Sequence, residues 1–262
     1  MDILIPIALI AGGLVSIFYL RTKTKNDVTE IKYMQTKKIS DLKEIFQQMS
    51  ENGLENDYRE YVELKGIPCE NGNLVQTPFS NQKVIYCESK VKQVIEEKKQ
   101  YTDKDNNIRT RVSKREIEIS NEKSSQDILI SDSSSDEKVV VEINATGSKV
   151  DIPLTFDRFE PKTNLNQYNY FRSFPISNYG AETLGFKMTE RIIKPGQNLY
   201  VIGEAFKVGD TIHIGKPQDS KKPFIITTKS EDDLINSSNQ KAMIYLIGGI
   251  IAIIVGIAMF FR

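Results

Sequence analysis

The stretch GFKMTERIIKPGQNLYVIGEAF, Gly185–Phe206, decides the fold. It reads as two strands, GFKMTERIIK and NLYVIGEAF, on either side of Pro195-Gly196. Polar and apolar residues interleave through the first run, and Tyr200, Val201 and Ile202 are strong β-formers in the second. A Pro-Gly pair between such runs turns the chain. The pattern extends outward in both directions. EYVELKGI, NQKVIYCESKVKQVIEEKK, IRTRVSKREIEIS, DILIS, KVVVEIN and SKVDIPL precede the stretch, and DTIHIG and PFIITT follow it. The separators are rich in Gly, Asn, Asp, Ser and Pro. About ten short strands at hairpin-like spacing, with almost no long helix among them, predict a mainly β domain over 58–228. The expected architecture is an antiparallel barrel or sandwich with some α+β character.

The 83–119 hairpin is the candidate arm of that domain. Lys98, Lys99, Lys104, Arg109, Arg111, Lys114 and Arg115 are answered there by Glu96, Glu97, Asp103, Asp105, Glu116 and Glu118. Nucleic-acid ribbons interleave aromatics for stacking, and beyond Tyr86 at the hairpin's base only Tyr101 is present. A solvated hairpin with cross-strand ion pairs fits better, and no nucleic-acid partner is expected. The serine-rich EKSSQD and SDSSSDEK read as loops.

Apolar runs flank the β domain. Met243–Phe261 is uncharged, and as a helix it is about as long as a bilayer's hydrocarbon layer is thick. Ile3–Leu20 is uncharged as well, and Arg21, Lys23 and Lys25 follow it. A secretory signal carries its positive charge before the apolar run, so a retained span is expected here. The sequence therefore predicts transmembrane helices over 3–20 and 243–261. The soluble part lies between them on the cytoplasmic side, with both termini outside. Ala8, Gly12 and Ser16, and likewise Gly248, Ala252 and Gly256, recur at i, i+4, i+8. Such stripes let helices approach, here each other or copies of themselves.

Two further helices are expected. In 36–52, Leu42, Ile45, Phe46 and Met49 fall at helical spacing, with Asp41 as candidate cap. In 229–242, Ser230 caps a first turn carrying Glu231, Asp232 and Asp233, and this juxtamembrane helix runs on into the second span.

Composition excludes several chemistries. Lys+Arg and Asp+Glu both number 35, so net charge gives no pull towards nucleic acid or anionic lipid. A structural zinc takes four protein ligands, usually Cys and His, and the chain has one histidine, His213, and two cysteines, Cys69 and Cys87. Phosphate-binding glycine loops and nucleophile elbows are absent from the text. No cofactor, metal or catalytic residue is expected.

The order of segments resembles a known family. DYREYVELKGIPCENGNLVQTPFSNQKVIYCESKVKQVIEE, then DRFEP, GFKMTERIIKPGQNLYVIGEA and KPFIITTKSEDDL, then an apolar run, are similar to the GIDE family, also called the BAM (beside-a-membrane) domain, over 36–260. Glu190–Ala205 is the most specific part, and within it Glu190, Pro195, Gly196, Tyr200, Gly203 and Glu204 are the candidate structural or partner-binding residues. Pro195-Gly196 makes the turn and Gly203 allows close backbone approach. Glu204 pairs within the fold, or holds a partner such as Arg191 or a ligand. YNYFRSFPISNYG is a candidate recognition loop, with Tyr168, Tyr170, Phe171, Phe174 and Tyr179, or a plug for the core.

Eukaryotic relatives of the mulan type place a zinc-binding RING after their second span, and that RING recruits the ubiquitin-charged E2. The resemblance implies a form without it. The family label of E3 ubiquitin ligase then rests on the part that is missing. Prokaryotic members similarly lack the RING, and the Lys-, Ile- and Asn-rich, Trp-free text fits such an origin, in a prokaryotic cell membrane. The expectation is a membrane-tethered, non-catalytic scaffold or stress-response adaptor that binds a protein partner or self-associates. Intrinsic ubiquitin transfer is the alternative.

Overall fold

A computed structural model of the chain describes residues 4–54, 57–70, 74–104, 106–163 and 182–261. The helices are α1 (Leu4–Tyr33), α2 (Ile39–Glu51) and α3 (Glu231–Phe260). The strands are β1 (Thr36–Lys37), β2 (Glu60–Pro68), β3 (Val75–Gln76), β4 (Lys83–Val84), β5 (Tyr86–Thr102), β6 (Ile108–Lys123) and β7 (Ile128–Ser131), followed by β8 (Val139–Val141), β9 (Lys149–Asp151), β10 (Leu154–Pro161), β11 (Glu182–Ile193), β12 (Leu199–Val208), β13 (Thr211–Gly215) and β14 (Ile225–Thr227). They divide into two compact units, the first Met1–Gly66, Asp132–Asp151 and Leu199–Arg262, the second Ile67–Ser131 and Ile152–Asn198.

The first unit is organised around β12. It pairs antiparallel with β2 along one edge, and with β14 and then β13 along the other. A closed barrel of five strands results, as the alternation in EYVELKGI and NLYVIGEAF predicts. Val62, Leu64, Val141, Val201, Ala205, Ile214 and Ile226 are buried. Each large side chain of this kind contributes about 1.5–3 kcal/mol of burial. Gly203 stands where a Cβ would come within 2.8 Å of the Gly215 carbonyl and 2.9 Å of Phe224, so only glycine fits. The sheet is not wholly antiparallel. β13 pairs parallel with β8, β14 with β9 and β1 with β2.

The helices of this unit are longer than the apolar text. α1 continues through RTKTKNDVTEIKY to Tyr33, and α3 runs unbroken from Glu231. Both are long and apolar enough to cross a membrane. At 30 residues each would measure about 45 Å. The polar end of α1 is not helix-favouring text. Thr24 and Thr29 donate to carbonyls one turn back, and Ile31 is buried with Leu234 of α3 against Tyr200, Ile202 and Ile225. Tertiary packing overrides propensity there. Ser230 caps α3 as expected, accepting the Asp233 amide at 3.1 Å. α2 differs from expectation. It starts at Ile39, so Asp41 sits in its first turn and accepts the Lys38 amide at 3.3 Å. The free amides of Ile39 and Ser40 donate instead to Asp132 (2.8 Å) and Ser134 (3.0 Å) of the serine-rich loop.

The second unit carries an antiparallel sheet in the order β10-β11-β5-β6. Its core includes Val91, Phe186 and Met188, with Phe79, Ile119 and Phe156 against them. Among the described residues β11 accompanies β5 only as far as Glu96, and the β5–β6 ribbon continues to the Thr102–Ile108 pair. Pro195-Gly196 makes its turn with φ +72 at the glycine, yet the strands it joins do not pair. β11 lies in this sheet and β12 in the barrel.

Candidate functional site

The most organised polar site of the first unit lies where helices meet barrel. Glu63 is 1% exposed, on β2 beside β12. Its carboxylate accepts the Tyr200 hydroxyl at 2.6 Å and the Thr36 hydroxyl at 2.5 Å. Lys65 lies opposite Tyr200 in register, and its ammonium sits 5.4 Å from the ring centre. That ammonium is 3.5 Å from Glu63 and 2.9 Å from Glu231 in the first turn of α3. Burial, then the bond to Glu63, raises the Tyr200 phenol far above its ordinary value. Burial opposes the charge on Lys65, but Glu231 and Glu63 outweigh it and hold the ammonium above its ordinary value. Nearby, Tyr61 donates to the Pro223 carbonyl at 2.9 Å, and burial raises its phenol too. A carboxylate held by two hydroxyls and a shared lysine is a structural lock, poorly suited to act as a general base. It ties the start of α3 and the segment after α1 to the barrel wall.

Along the apolar halves, α1 and α3 run antiparallel. A Cβ on Gly13 would come within 2.6 Å of the Gly249 carbonyl, and one on Gly249 within 2.8 Å of the Gly13 carbonyl. Gly256 meets the Pro6 carbonyl at 2.9 Å by the same measure, and Ser16 donates to the Tyr245 carbonyl at 2.8 Å. Of the i, i+4 stripes, then, Ser16 and Gly256 lie in the seam. Ala252 is half-buried and Ala8 is exposed. Gly12 and Gly248 have nothing within 4 Å of an added Cβ, so they lie outside the α1–α3 seam. The seam follows a spacing of seven, Ala242, Gly249, Gly256 on α3 and Pro6, Gly13 on α1, as in a left-handed pair, where a spacing of four would drift off the contact.

The family-like motif resolves into structural roles. Glu190 is fully buried and accepts the amides of Phe79 (2.7 Å) and Ser80 (3.2 Å), pinning the PFS turn. Glu204 lies 3.5 Å from Arg59, whose guanidinium stacks 4.6 Å from the Phe206 ring centre, and accepts the Gln218 amide at 3.0 Å. Arg191, the partner considered for Glu204, donates to the Ile152 carbonyl at 2.5 Å. Glu63, Thr36 and Asp132 escaped sequence reading. Only the charge at Glu63 within an apolar strand hinted at a buried partner.

Among the remaining candidates, His213 faces Glu142 at 3.1 Å (Nδ1 to Oε1) and stacks near Phe206. Cys69 and Cys87 are unpaired thiols. Burial, then Glu190 and Glu88, pushes Cys87 up to about 12. On the hairpin, Lys92–Glu116 (2.9 Å) and Arg115–Glu97 (3.2 Å) are ion pairs across the strands. Tyr168, Tyr170, Phe171, Phe174 and Tyr179 lie outside the described residues. Among the described residues no group of three or more His, Cys, Asp or Glu could hold a metal ion.

A small closed barrel carried on two long apolar helices, in a chain that also folds a four-stranded sheet unit, defines a class of β-domain protein built beside apolar helices. The chain belongs to the GIDE family, described as E3 ubiquitin ligase, whose family model matches residues 97–260. That span holds Glu190–Ala205, although it starts later than the resemblance from residue 36. No curated protein and no solved structure matches the chain.

Proposed function

We propose that this is an integral membrane protein, anchored by α1 and α3, whose β units bind a protein partner without catalysis. In this reading it acts as a scaffold or stress-response adaptor in a prokaryotic cell membrane, with the β units cytoplasmic and both termini outside. The observation that carries it is that both apolar helices run on as helix to the barrel, α3 entering the Glu63–Tyr200–Lys65–Glu231 lock at Glu231 and α1 packing Ile31 on Tyr200. Such a lock fixes the barrel on its anchor, as a docking platform needs. The basic flank Arg21, Lys23 and Lys25 supports the orientation. Photo-crosslinking in native membranes, with probes at Tyr168, Tyr179 and Tyr101, tests it. One recurrent protein adduct is expected, and lipid and self-adducts alone would refute an adaptor.

The family description favours a second reading, intrinsic ubiquitin transfer. It predicts discharge of a ubiquitin-charged E2 by the purified chain. The adaptor reading predicts none, and discharge abolished by a point substitution would replace it.

A further inference from the structure

One exposed face of the four-stranded sheet is hollow. A cavity of about 320 Å³ is lined by Lys90 and Lys92 of β5, Lys187, Thr189 and Arg191 of β11, Glu118 of β6, and Leu154 and Asp157 of β10. Its charge is uneven, with four cations against two carboxylates. Register explains the clustering, since residues alternating along β5 and β11 share a face, and Lys92 lies directly opposite Lys187, Lys90 opposite Thr189. Like charges directly opposed across antiparallel strands destabilise a sheet, so this pair asks for an anion between its heads.

Neighbouring acids meet that need in part: Glu118 lies directly opposite Lys92 in register, and Glu88 approaches Arg191 at 4.0 Å. Lys92 turns to Glu116 at 2.9 Å, Lys90 to Glu88 at 3.1 Å, and Lys187 reaches Asp157 only at 3.5 Å. These lysines are a third to two-fifths exposed, so such pairs contribute little and exchange readily. Arg191 is already oriented by its bond to the Ile152 carbonyl at 2.5 Å. Asp157 lies directly opposite Thr189 on the β10 side of the cations, and these two accept hydrogen bonds from hydroxyl groups, whereas Glu118 lies on the far side, on β6. Among the described residues Leu154 is the one apolar lining residue, and no aromatic ring lines the cavity to stack a base. The volume is at the small end for ligand sites.

We propose that this cavity binds a phosphorylated polyol, with the phosphate between Lys92, Lys187, Lys90 and Arg191 and the polyol hydroxyls on Asp157 and Thr189. The ligand is either a free sugar or inositol phosphate or a phosphorylated polyol headgroup of a lipid. Calorimetric titration of the full-length protein in micelles with myo-inositol 1-phosphate tests it, beside inorganic phosphate and myo-inositol. Nanodiscs with and without phosphatidylinositol form the lipid arm. Saturable binding of myo-inositol 1-phosphate, tighter than either fragment, is expected, or binding to phosphatidylinositol nanodiscs alone if the source is lipid. Lys92→Gln with Lys187→Gln, both partly exposed, should weaken it at least about tenfold, as should raising the salt, because the contacts are charge-assisted. No binding in either arm, equal binding of inorganic phosphate or myo-inositol, or undiminished binding by the double variant would overturn the proposal.

Discussion

The two adjacent glycine pairs of the apolar helices should behave oppositely when a single methyl is added. At Gly13 the new Cβ would lie 2.6 Å from the Gly249 carbonyl and 2.7 Å from Ile253 Cγ1. Ordinary contact begins near about 3.5 Å, so the helices must part by roughly 0.9 Å. A gap of that size forfeits a quarter to a half of the attraction along the seam, and overpacking of this kind costs about 1–3 kcal/mol. Gly249→Ala meets the Gly13 carbonyl at 2.8 Å and Ile17 at 2.6 Å, with the same consequence. At Gly12 and Gly248 nothing lies within 4 Å, and the only effect is the helix propensity of alanine over glycine, a gain of up to about 1 kcal/mol. Because that gain also accrues at Gly13 and Gly249, neighbours in each pair should differ by about 1–3 kcal/mol, roughly 5- to 150-fold in the unfolding equilibrium. Click-reactive residues in place of Leu4 and Ala258, which the antiparallel register brings together, would carry a fluorescence-transfer pair. SDS titration in mixed micelles then reads helix separation. Gly12→Ala as damaging as Gly13→Ala, or Gly13→Ala silent, would refute the seven-residue seam.

Other parts of the account are tested as simply. Tyr200→Phe removes a hydrogen bond to a buried carboxylate and should destabilise the protein by about 1.5–3 kcal/mol in denaturant titration. Raised phenol values in the fold mean that Tyr200 and Tyr61 contribute stability in full below the unfolded tyrosine value, about 10, and lose it as pH rises above that. Unfolding titrations between pH 8 and 12 should show this loss, reduced in Tyr200→Phe. Burial opposes the charge on Asp132, but the Ile39 amide and the Ser134 hydroxyl and amide hold its carboxyl below the ordinary range. Asp132→Ala should therefore cost about 1 kcal/mol above pH 4, with the difference from the parent shrinking as pH falls through the folded value. Maleimide at pH 8 should modify Cys69 well before Cys87, read by mass spectrometry of the folded protein.

Strand text was legible wherever alternation met β-branched residues, as in EYVELKGI, NLYVIGEAF and DTIHIG. DRFEP shows no alternation that would reveal its strand, β10, because Asp157, Arg158 and Phe159 are all exposed and only Phe156 before them packs on the core. The polar half of α1 was invisible for a different reason. Its propensity is poor, and it is held by Ile31 packing on a barrel that lies far along the chain. Gly12-Gly13 and Gly248-Gly249 each offer two phases, and composition alone does not choose between a spacing of four and one of seven. Glu63 and Asp132 act across 137 and 93 residues of chain, so no local window contains their partners. Within the motif Glu190–Ala205, Glu190 makes buried contacts to the PFS turn and Gly203 packs against Gly215.

The central claim, two spans carrying a cytoplasmic β domain, is tested most directly by Cys69, a partly exposed thiol outside both helices. Intact cells are treated with a membrane-impermeant maleimide, beside permeabilised cells and protein purified in its folded state. The account predicts no modification of Cys69 in intact cells and ready modification in the other two samples. Modification in intact cells would contradict the orientation, and release of the protein by alkaline carbonate in the same preparation would contradict the spans themselves.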